Sequence, residues 1–89
     1  MAVFAVITSN APEKLGSIIP AKLAPQDFHQ VDDRTWFVNV PNTIVTPKEL
    51  SDFLGISQGV AGRVLVLHIT TYYGYHAKET WDWLSVKGV

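Results

Sequence analysis

The most apolar stretch of the chain, VLVLHI at 64–69, predicts a β-strand. It contains no charged side chain, and its short length and β-branched residues favour a strand over a helix. An aromatic turn, YYGY at 72–75, follows it. The chain then ends in a predicted helix from about residue 77 to 86, with apolar residues on one face at i, i+4 and i+7.

Three earlier runs rich in apolar, β-branched and aromatic residues predict further strands at 2–8, 27–31 and 34–40. The second and third of these runs are separated by Asp32 and Asp33, so a β-hairpin is expected there. The first run is apolar at almost every position, which is typical of a strand in the centre of a sheet.

Two helices are predicted between these strands. Asn10 and Glu13 have the spacing of a capping box, and Pro20 is expected to end or kink the helix that follows. The second helix has clearer signals at both ends. The sequence TPKE at 46–49 combines an N-cap threonine, a first-turn proline and a capping-box glutamate, and Gly55 suits a left-handed C-cap.

The order strand, helix, strand, strand, helix, strand, helix predicts an α+β fold. We expect a ferredoxin-like βαββαβ arrangement, with a four-stranded antiparallel sheet, two helices on one face and an extra short C-terminal helix. A chain of 89 residues forms a single domain, here residues 1–89. In this topology the strand order is 4-1-3-2, so the apolar fourth strand lies at an edge of the sheet.

An apolar edge strand without lysine, proline or a bulge is a template for pairing with another strand. We therefore expect this edge to be covered, either by the C-terminal segment or by a second copy of the chain. The alternation along the strands suggests that the helices cover Leu65, Leu67 and Trp36. The opposite face would then be too apolar for water alone. Its expected members are Phe37, Val66 and either Phe4 or Val3.

These features predict a homodimer through the sheet face or the fourth-strand edge. Trp81 and Trp83 lie about 200° apart around a helix, so only one of them is expected to face the core. We assign that place to Trp81. The predicted interface residues are Val64, Val66, Phe37 and Trp83.

Composition narrows the function classes. Charged residues make up 17% of the chain, below the usual quarter, which agrees with a surface covered by a partner. The net charge of −1 gives no bulk attraction for nucleic acid, and the absence of cysteine excludes disulfides, thiolate zinc sites and a thiol nucleophile. The N-terminus is too short for a secretory signal and no run is long enough to span a membrane, so a soluble cytoplasmic protein is expected.

No catalytic, cofactor or metal site is predicted. His29, His68 and His76 lack the spacing of metal-ligand pairs, and no serine lies in a nucleophile motif. A small-molecule site is one alternative, although an aromatic cluster of this kind more often packs a terminal helix onto its sheet. The residues of that site would be His68, Tyr72, Tyr73 and Tyr75.

A nucleic-acid-binding or nuclease-like protein is the other alternative, and it would bind through exposed cations. The expected contacts are Arg34, Lys48, Arg63 and Lys78. The low charge and the apolar edge favour a different function, that of a small non-enzymatic homodimer acting through protein contacts.

Three stretches carry a resemblance to a known group of proteins: VITSN at the end of the first strand, RTWFVNV in the hairpin and YYGYHAKETWDWL in the tail. Across about residues 2–84 the order of elements resembles small ferredoxin-like proteins related to the CRISPR adaptation/endoribonuclease subunit, including SinR-like relatives. The resemblance implies this fold and a dimer. Members with metal-dependent nuclease activity carry an aspartate at the end of the first strand, whereas ITSN at 7–10 contains no carboxylate. The resemblance therefore does not extend to the residues of a nuclease site.

Overall fold

The computed structural model describes residues 1–88, and Val89, the last residue of the predicted domain, lies outside them. Within this range the chain forms an antiparallel four-stranded sheet, three α-helices and a short 3₁₀-helix. In chain order the elements are β1 (Ala2–Thr8), α1 (Pro12–Lys22), the 3₁₀-helix (Pro25–Asp27), β2 (Phe28–Asp32), β3 (Thr35–Val40), α2 (Pro47–Leu54), β4 (Val64–His68) and α3 (Lys78–Val86). The predicted α+β class with a third, C-terminal helix is confirmed. No helix within residues 1–88 is long and apolar enough to cross a membrane.

The strands are ordered β2-β3-β1-β4, so β1 and β3 are central and β2 and β4 form the two edges. This order is compatible with the predicted order 4-1-3-2. β1 pairs antiparallel with both neighbours, and Phe4 lies opposite Val38 on one side and His68 on the other. The central position of β1 explains its nearly continuous apolar sequence.

The main core lies between one face of the sheet and helices α1 and α2. Trp36 is the largest of its side chains, and only 2% of this residue is exposed. Burial of one large apolar side chain contributes roughly 1.5–3 kcal/mol, so this layer is the chief source of folding free energy. Other members that are completely buried are Phe4, Val6, Leu15, Ile19, Val38, Val40, Leu50 and Ala61.

The third helix packs on the opposite side of the sheet, which we call the open face. Thr80 and Leu84 of α3 are buried, and Trp83 lies against Phe37 with ring centroids 6.3 Å apart. α3 contacts β2, at the sheet edge farthest from β4. Within residues 1–88, β4 therefore has a strand neighbour on one side only.

The prediction that α1 and α2 cover the leucines of β4 is wrong. Pairing with β1 places Leu65 and Leu67 on the open face, whereas Val64 and Val66 pack against the main core. Val66 therefore does not belong to the open face, where it was expected. Side chains on both faces of β4 are apolar, so its own sequence contains no alternation that identifies the covered face.

The side-chain directions predicted for β3 and β1 agree with the structure. Trp36 faces the helices and Phe37 faces the other way, as predicted for β3. On β1, Phe4 lies in the main core and its neighbour Val3 lies on the open face. Of the two candidates left open on β1, the structure thus places Val3 on the open face.

Helix α2 begins and ends as predicted. The Glu49 backbone N–H donates to Thr46 Oγ1 at 3.1 Å, and the Thr46 backbone N–H donates to the Glu49 carboxylate at 3.1 Å. Gly55 ends the helix with φ of 74°, in the left-handed region. Its signals are local in sequence, so they are sufficient to define the helix.

Helix α1 differs from its prediction at its start, and Pro20 does not end it. Its N-cap is Ala11, which makes no side-chain cap hydrogen bond, and Pro20 lies within a helix that continues to Lys22. Asn10 has another role, because its Oδ1 accepts a hydrogen bond of 2.9 Å from the Arg63 backbone N–H. This bond joins the end of β1 to the start of β4.

The β2–β3 hairpin turns one residue later than predicted, at residues 33–34. The Arg34 backbone N–H donates to Asp32 Oδ1 at 2.9 Å, and the register shifts between Gln30 and Asp32. A bulge of this kind lets a hairpin close without the asparagine-glycine pair that a tight two-residue turn prefers.

Candidate functional site

The outer edge of β4 carries backbone groups without a strand partner within residues 1–88. The Ile69 N–H donates to the Val3 carbonyl and the Ser9 N–H donates to the Arg63 carbonyl, both at 2.9 Å. Residues of an antiparallel strand alternate between bonding to one neighbour and bonding to the other side. The outward-pointing groups therefore belong to Val64, Val66 and His68.

Two leucines beside these groups are exposed to solvent. Leu65 is 66% exposed and Leu67 is 46% exposed, both on the open face. The pairing of β4 with β1 runs without a bulge, and β4 contains neither lysine nor proline. We call the outward backbone groups and these two leucines the β4 edge. It has none of the usual features that prevent strand pairing.

The four predicted interface residues do not form one surface. Val64 and Val66 lie at β4 but are half-buried against the main core. Phe37 of β3 contacts Trp83 of α3, on the half of the sheet away from β4. A role for these four in an interface stays a prediction. The exposed leucines of β4 were missed, because the wrong face had been assigned to them.

Polar and aromatic contacts hold α3 against β2. His29 Nε2 lies 3.0 Å from Thr80 Oγ1, and the His29 ring stacks on Trp83 with centroids 6.0 Å apart. Lys87 Nζ lies 5.7 Å from the centre of the Trp83 ring and 3.8 Å from the Asp27 carboxylate. Trp83 is thus engaged within its own chain, and its contacts attach the last turn of α3 to the sheet.

Folding stability should depend on the protonation of His29. Burial lowers the pKa of His29 below its ordinary value of 6.5; the nearby Glu79 acts against this shift and His76 adds to it. The folded chain therefore binds this proton less readily than the unfolded chain. The contribution of neutral His29 to folding stability is fully present above about pH 6.5, and it is lost as the pH falls through the lower pKa of the folded state.

The expected result is a steeper fall in the melting temperature between pH 7 and pH 5 for the wild type than for His29→Gln. Thermal unfolding followed by circular dichroism would measure it. His68→Gln is the matched control, because His68 is exposed and lies on β4, at the sheet edge away from α3. If both variants followed the wild-type pH profile, His29 would not contribute to the pH dependence of folding stability.

The structure separates His68 from the tyrosines that it was predicted to join. His68 points toward the side of α1 and α2, where its ring centroid lies 4.8 Å from that of Phe4. Tyr72, Tyr73 and Tyr75 border the open face instead. The predicted ligand site is therefore not assembled around His68.

The three tyrosines border a cavity of about 240 Å³ between α3 and the β2–β3 half of the open face. Val31, Phe37 and Leu84 contribute apolar side chains to it. Trp81 also lines it and stacks on Tyr72 with ring centroids 5.5 Å apart. We call this the aromatic cavity.

Sequence reasoning missed several members of the aromatic cavity. Val31 lies far in sequence from His76 and Thr80, and only the packing of α3 on β2 brings it close to them. The contact between His29 and Thr80 spans 51 positions in the sequence. Neither residue carried a local signal of this contact.

The cations predicted to contact nucleic acid are divided between different parts of the surface. Lys48 and Lys78 form ion pairs with aspartates one helical turn later, at 2.9 and 2.7 Å. Arg34 Nη1 donates to the backbone carbonyl of Ser9. Arg63 lies at the same end of the sheet, immediately before β4 and on the other side of β1. Nucleic-acid contact through these residues stays a prediction.

A second hollow, of about 430 Å³, lies beside the start of β4. Ser9, Ser51, Ser57 and Arg63 are among its lining residues, and the hydroxyls of Ser51 and Ser57 are 2.8 Å apart. A serine nucleophile needs a neighbouring base, and no histidine lines this hollow. Among residues 1–88, no three His, Cys, Asp or Glu side chains are grouped so that they could hold a metal ion.

No family model and no curated protein matches this sequence. The function is therefore inferred from the geometry of the β4 edge and the aromatic cavity.

Proposed function

We propose that this chain is a small ferredoxin-like interaction domain that forms a homodimer by pairing the β4 edges of two copies. The order of elements, the strand order and the placement of α1 and α2 on one face support the ferredoxin-like topology. The single observation that carries the dimer is the uncovered apolar β4 edge. Such an edge pairs with another strand unless a charge, a proline or a bulge prevents it.

A two-fold axis at Val66 would align two copies of β4 along their whole length. Antiparallel pairing about this axis places Val66 opposite the Val66 of the second copy, and Val64 opposite His68. These are the residues whose backbone groups point outward, so each pair could exchange hydrogen bonds. The two sheets would then join into one continuous sheet.

The same register brings the exposed leucines together. Leu65 would face Leu67 of the second copy in non-hydrogen-bonded pairs, in which side chains approach most closely. Arg63 would lie opposite Ile69, so no like charges meet across the axis. Burial of one leucine contributes roughly 1.5–3 kcal/mol, and a micromolar dimer needs about 8 kcal/mol. The leucines of two copies would therefore supply a large part of the association free energy.

We expect the wild-type chain to have the mass of two chains by light scattering at micromolar concentration, and Leu65→Lys/Leu67→Lys to have the mass of one. The double variant removes the leucine contacts and places lysine opposite lysine, so the dissociation constant should rise by at least about 100-fold. Val45→Lys/Val60→Lys is the matched control, since both valines are exposed and lie outside β4. A wild-type chain with the mass of one chain would overturn the proposal.

Mixtures of single variants test the register. Leu65→Lys mixed with Leu67→Glu should form a mixed dimer that is tighter than either variant forms alone, because lysine and glutamate would face each other. Leu65→Lys mixed with Leu65→Glu is the control, because these two positions do not face each other about an axis at Val66. Equal pairing in both mixtures would contradict that axis.

A further inference from the structure

We propose that the aromatic cavity binds an uncharged planar ring compound that carries a hydrogen-bond acceptor. The cavity lies between α3 and the β2–β3 half of the open face, whereas the β4 edge is at the other side of the sheet. Binding here is therefore independent of the proposed dimer.

The size of the cavity selects a small ligand. Its volume of about 240 Å³ is below the roughly 300–1,000 Å³ of sites for drug-sized molecules. An apolar cavity of about 150 Å³ in another protein holds benzene. The aromatic cavity thus has room for one ring with a substituent, or for two fused rings.

The lining selects an uncharged and planar ligand. Among residues 1–88, no lysine, arginine, aspartate or glutamate lines the cavity, so an ion would lose its hydration without gaining an acidic or basic partner of opposite charge. Phe37 and Trp81 both line it and carry flat aromatic surfaces against which a ring can pack face to face or edge to face. An aliphatic ring of the same size lacks this geometry.

His76 provides a hydrogen-bond donor at the border of the cavity. Its Nδ1 accepts a hydrogen bond of 2.8 Å from the Ala77 backbone N–H. An accepting Nδ1 carries no proton, so in the neutral ring the proton is on Nε2, which donates. The ligand should accordingly carry an acceptor, such as a hydroxyl or a carbonyl oxygen.

The segment before α3 contains two tyrosines that do not pack against the rest of residues 1–88. Tyr73 and Tyr75 are fully exposed although both border the cavity. Gly74 lies between them with φ of 158°, a backbone conformation that residues with a side chain rarely adopt. A bound ring would give these tyrosines an apolar contact that they otherwise lack.

Phenol is the probe, and two-dimensional amide NMR of the full chain is the measurement. We expect phenol to shift the signals of 72–76, of α3 and of the Trp81 indole N–H, with a dissociation constant on the order of 1 mM, the range open to so small a ligand. The Trp36 indole N–H should not shift, because Trp36 lies in the main core. Cyclohexanol and benzoate are the comparison compounds, and both should bind at least about tenfold more weakly.

Tyr75→Ala and Trp81→Leu should each weaken phenol binding at least several-fold. Because Tyr75 is fully exposed, its substitution tests binding without a risk to folding. Phe53→Leu, an exposed aromatic on α2, is the matched control and should leave binding unchanged. Phenol should also bind to Leu65→Lys/Leu67→Lys, whatever the mass of that variant.

Any of four results would overturn the proposal: no shifts at about 20 mM phenol, shifts on another surface, equal binding of cyclohexanol, or tighter binding of benzoate. Retained phenol binding in both Tyr75→Ala and Trp81→Leu would overturn it as well.

Discussion

Replacing Trp36 with alanine is expected to lower the free energy of unfolding by roughly 3–5 kcal/mol, the largest change that we predict for one substitution. Only 2% of Trp36 is exposed, and its indole lies between the sheet and the two helices. A Cβ placed on Gly16 of α1 would lie 3.9 Å from Trp36 Cζ2, so the ring reaches the backbone of that helix. Alanine would leave a cavity that neighbouring side chains could fill only in part.

Chemical denaturation measures this change directly, and thermal unfolding should show a fall in the melting temperature of roughly 15–30 °C for a domain of this size. Phe37→Ala is the matched control, because Phe37 is the next residue of β3 and points to the open face, where it is half-buried. Phe37→Ala should lower the free energy of unfolding by about half as much as Trp36→Ala. Equal losses would mean that α3 and the open face form a second core as important as the first.

This asymmetry between the faces was only partly predictable from sequence. On β3 the alternation of Trp36 and Phe37 with smaller residues was enough to place the tryptophan under the helices. On β4 both sets of side chains are apolar, and the covered face is decided by pairing with β1, in which His68 lies opposite Phe4. The error about Leu65 and Leu67 arose there, since local periodicity cannot report a register between strands about 60 residues apart in sequence.

Helix ends show the same contrast. The capping box of α2 is complete within four residues and was predicted correctly. Asn10 carried an equally familiar signal, yet its side chain bonds to Arg63, 53 positions away. A short polar side chain at the end of a strand can cap the next helix or join a distant turn, and only the packed chain determines which.

The two candidate sites also differ in how far their residues lie apart in sequence. The apolar β4 edge could be predicted because one strand and its place in the sheet define it. The aromatic cavity could be predicted only through its tyrosines, which are close in sequence. Its other members depend on where α3 docks, and that is fixed by contacts such as the one between His29 and Thr80.

The second large effect is expected at Gly62, where alanine should lower the free energy of unfolding by about 2–4 kcal/mol. Gly62 has φ of 81°, and a residue with a side chain is strained there by roughly 1–2 kcal/mol. A Cβ at this position would also overlap Asn10 Oδ1 and lie 3.3 Å from the Ala11 Cβ. Asn10 can move aside only by giving up its hydrogen bond to the Arg63 N–H.

Gly59→Ala is the matched control, because Gly59 has φ of 80° and, its chain neighbours aside, no atom of residues 1–88 lies within 4 Å of an added Cβ. It carries the backbone strain without the clash, so it should cost only about 1–2 kcal/mol. The double variant Asn10→Ala/Gly62→Ala separates the two contributions. Denaturant titrations measure the free energy of unfolding of each variant. If the clash with Asn10 matters, the double variant should lose about 1 kcal/mol less than the sum of the losses in the two single variants.

Gly62 also connects folding to the proposed function. Arg63 immediately precedes β4, and the Asn10 bond holds that turn against the end of β1. Displacing the turn should disturb the first residues of β4, whose outward backbone groups are needed for pairing. Gly62→Ala is therefore expected to weaken the dimer in light scattering, whereas Gly59→Ala should leave it intact. If Gly62→Ala unfolded more easily yet dimerised as tightly as the wild type, the start of β4 would not take part in the interface.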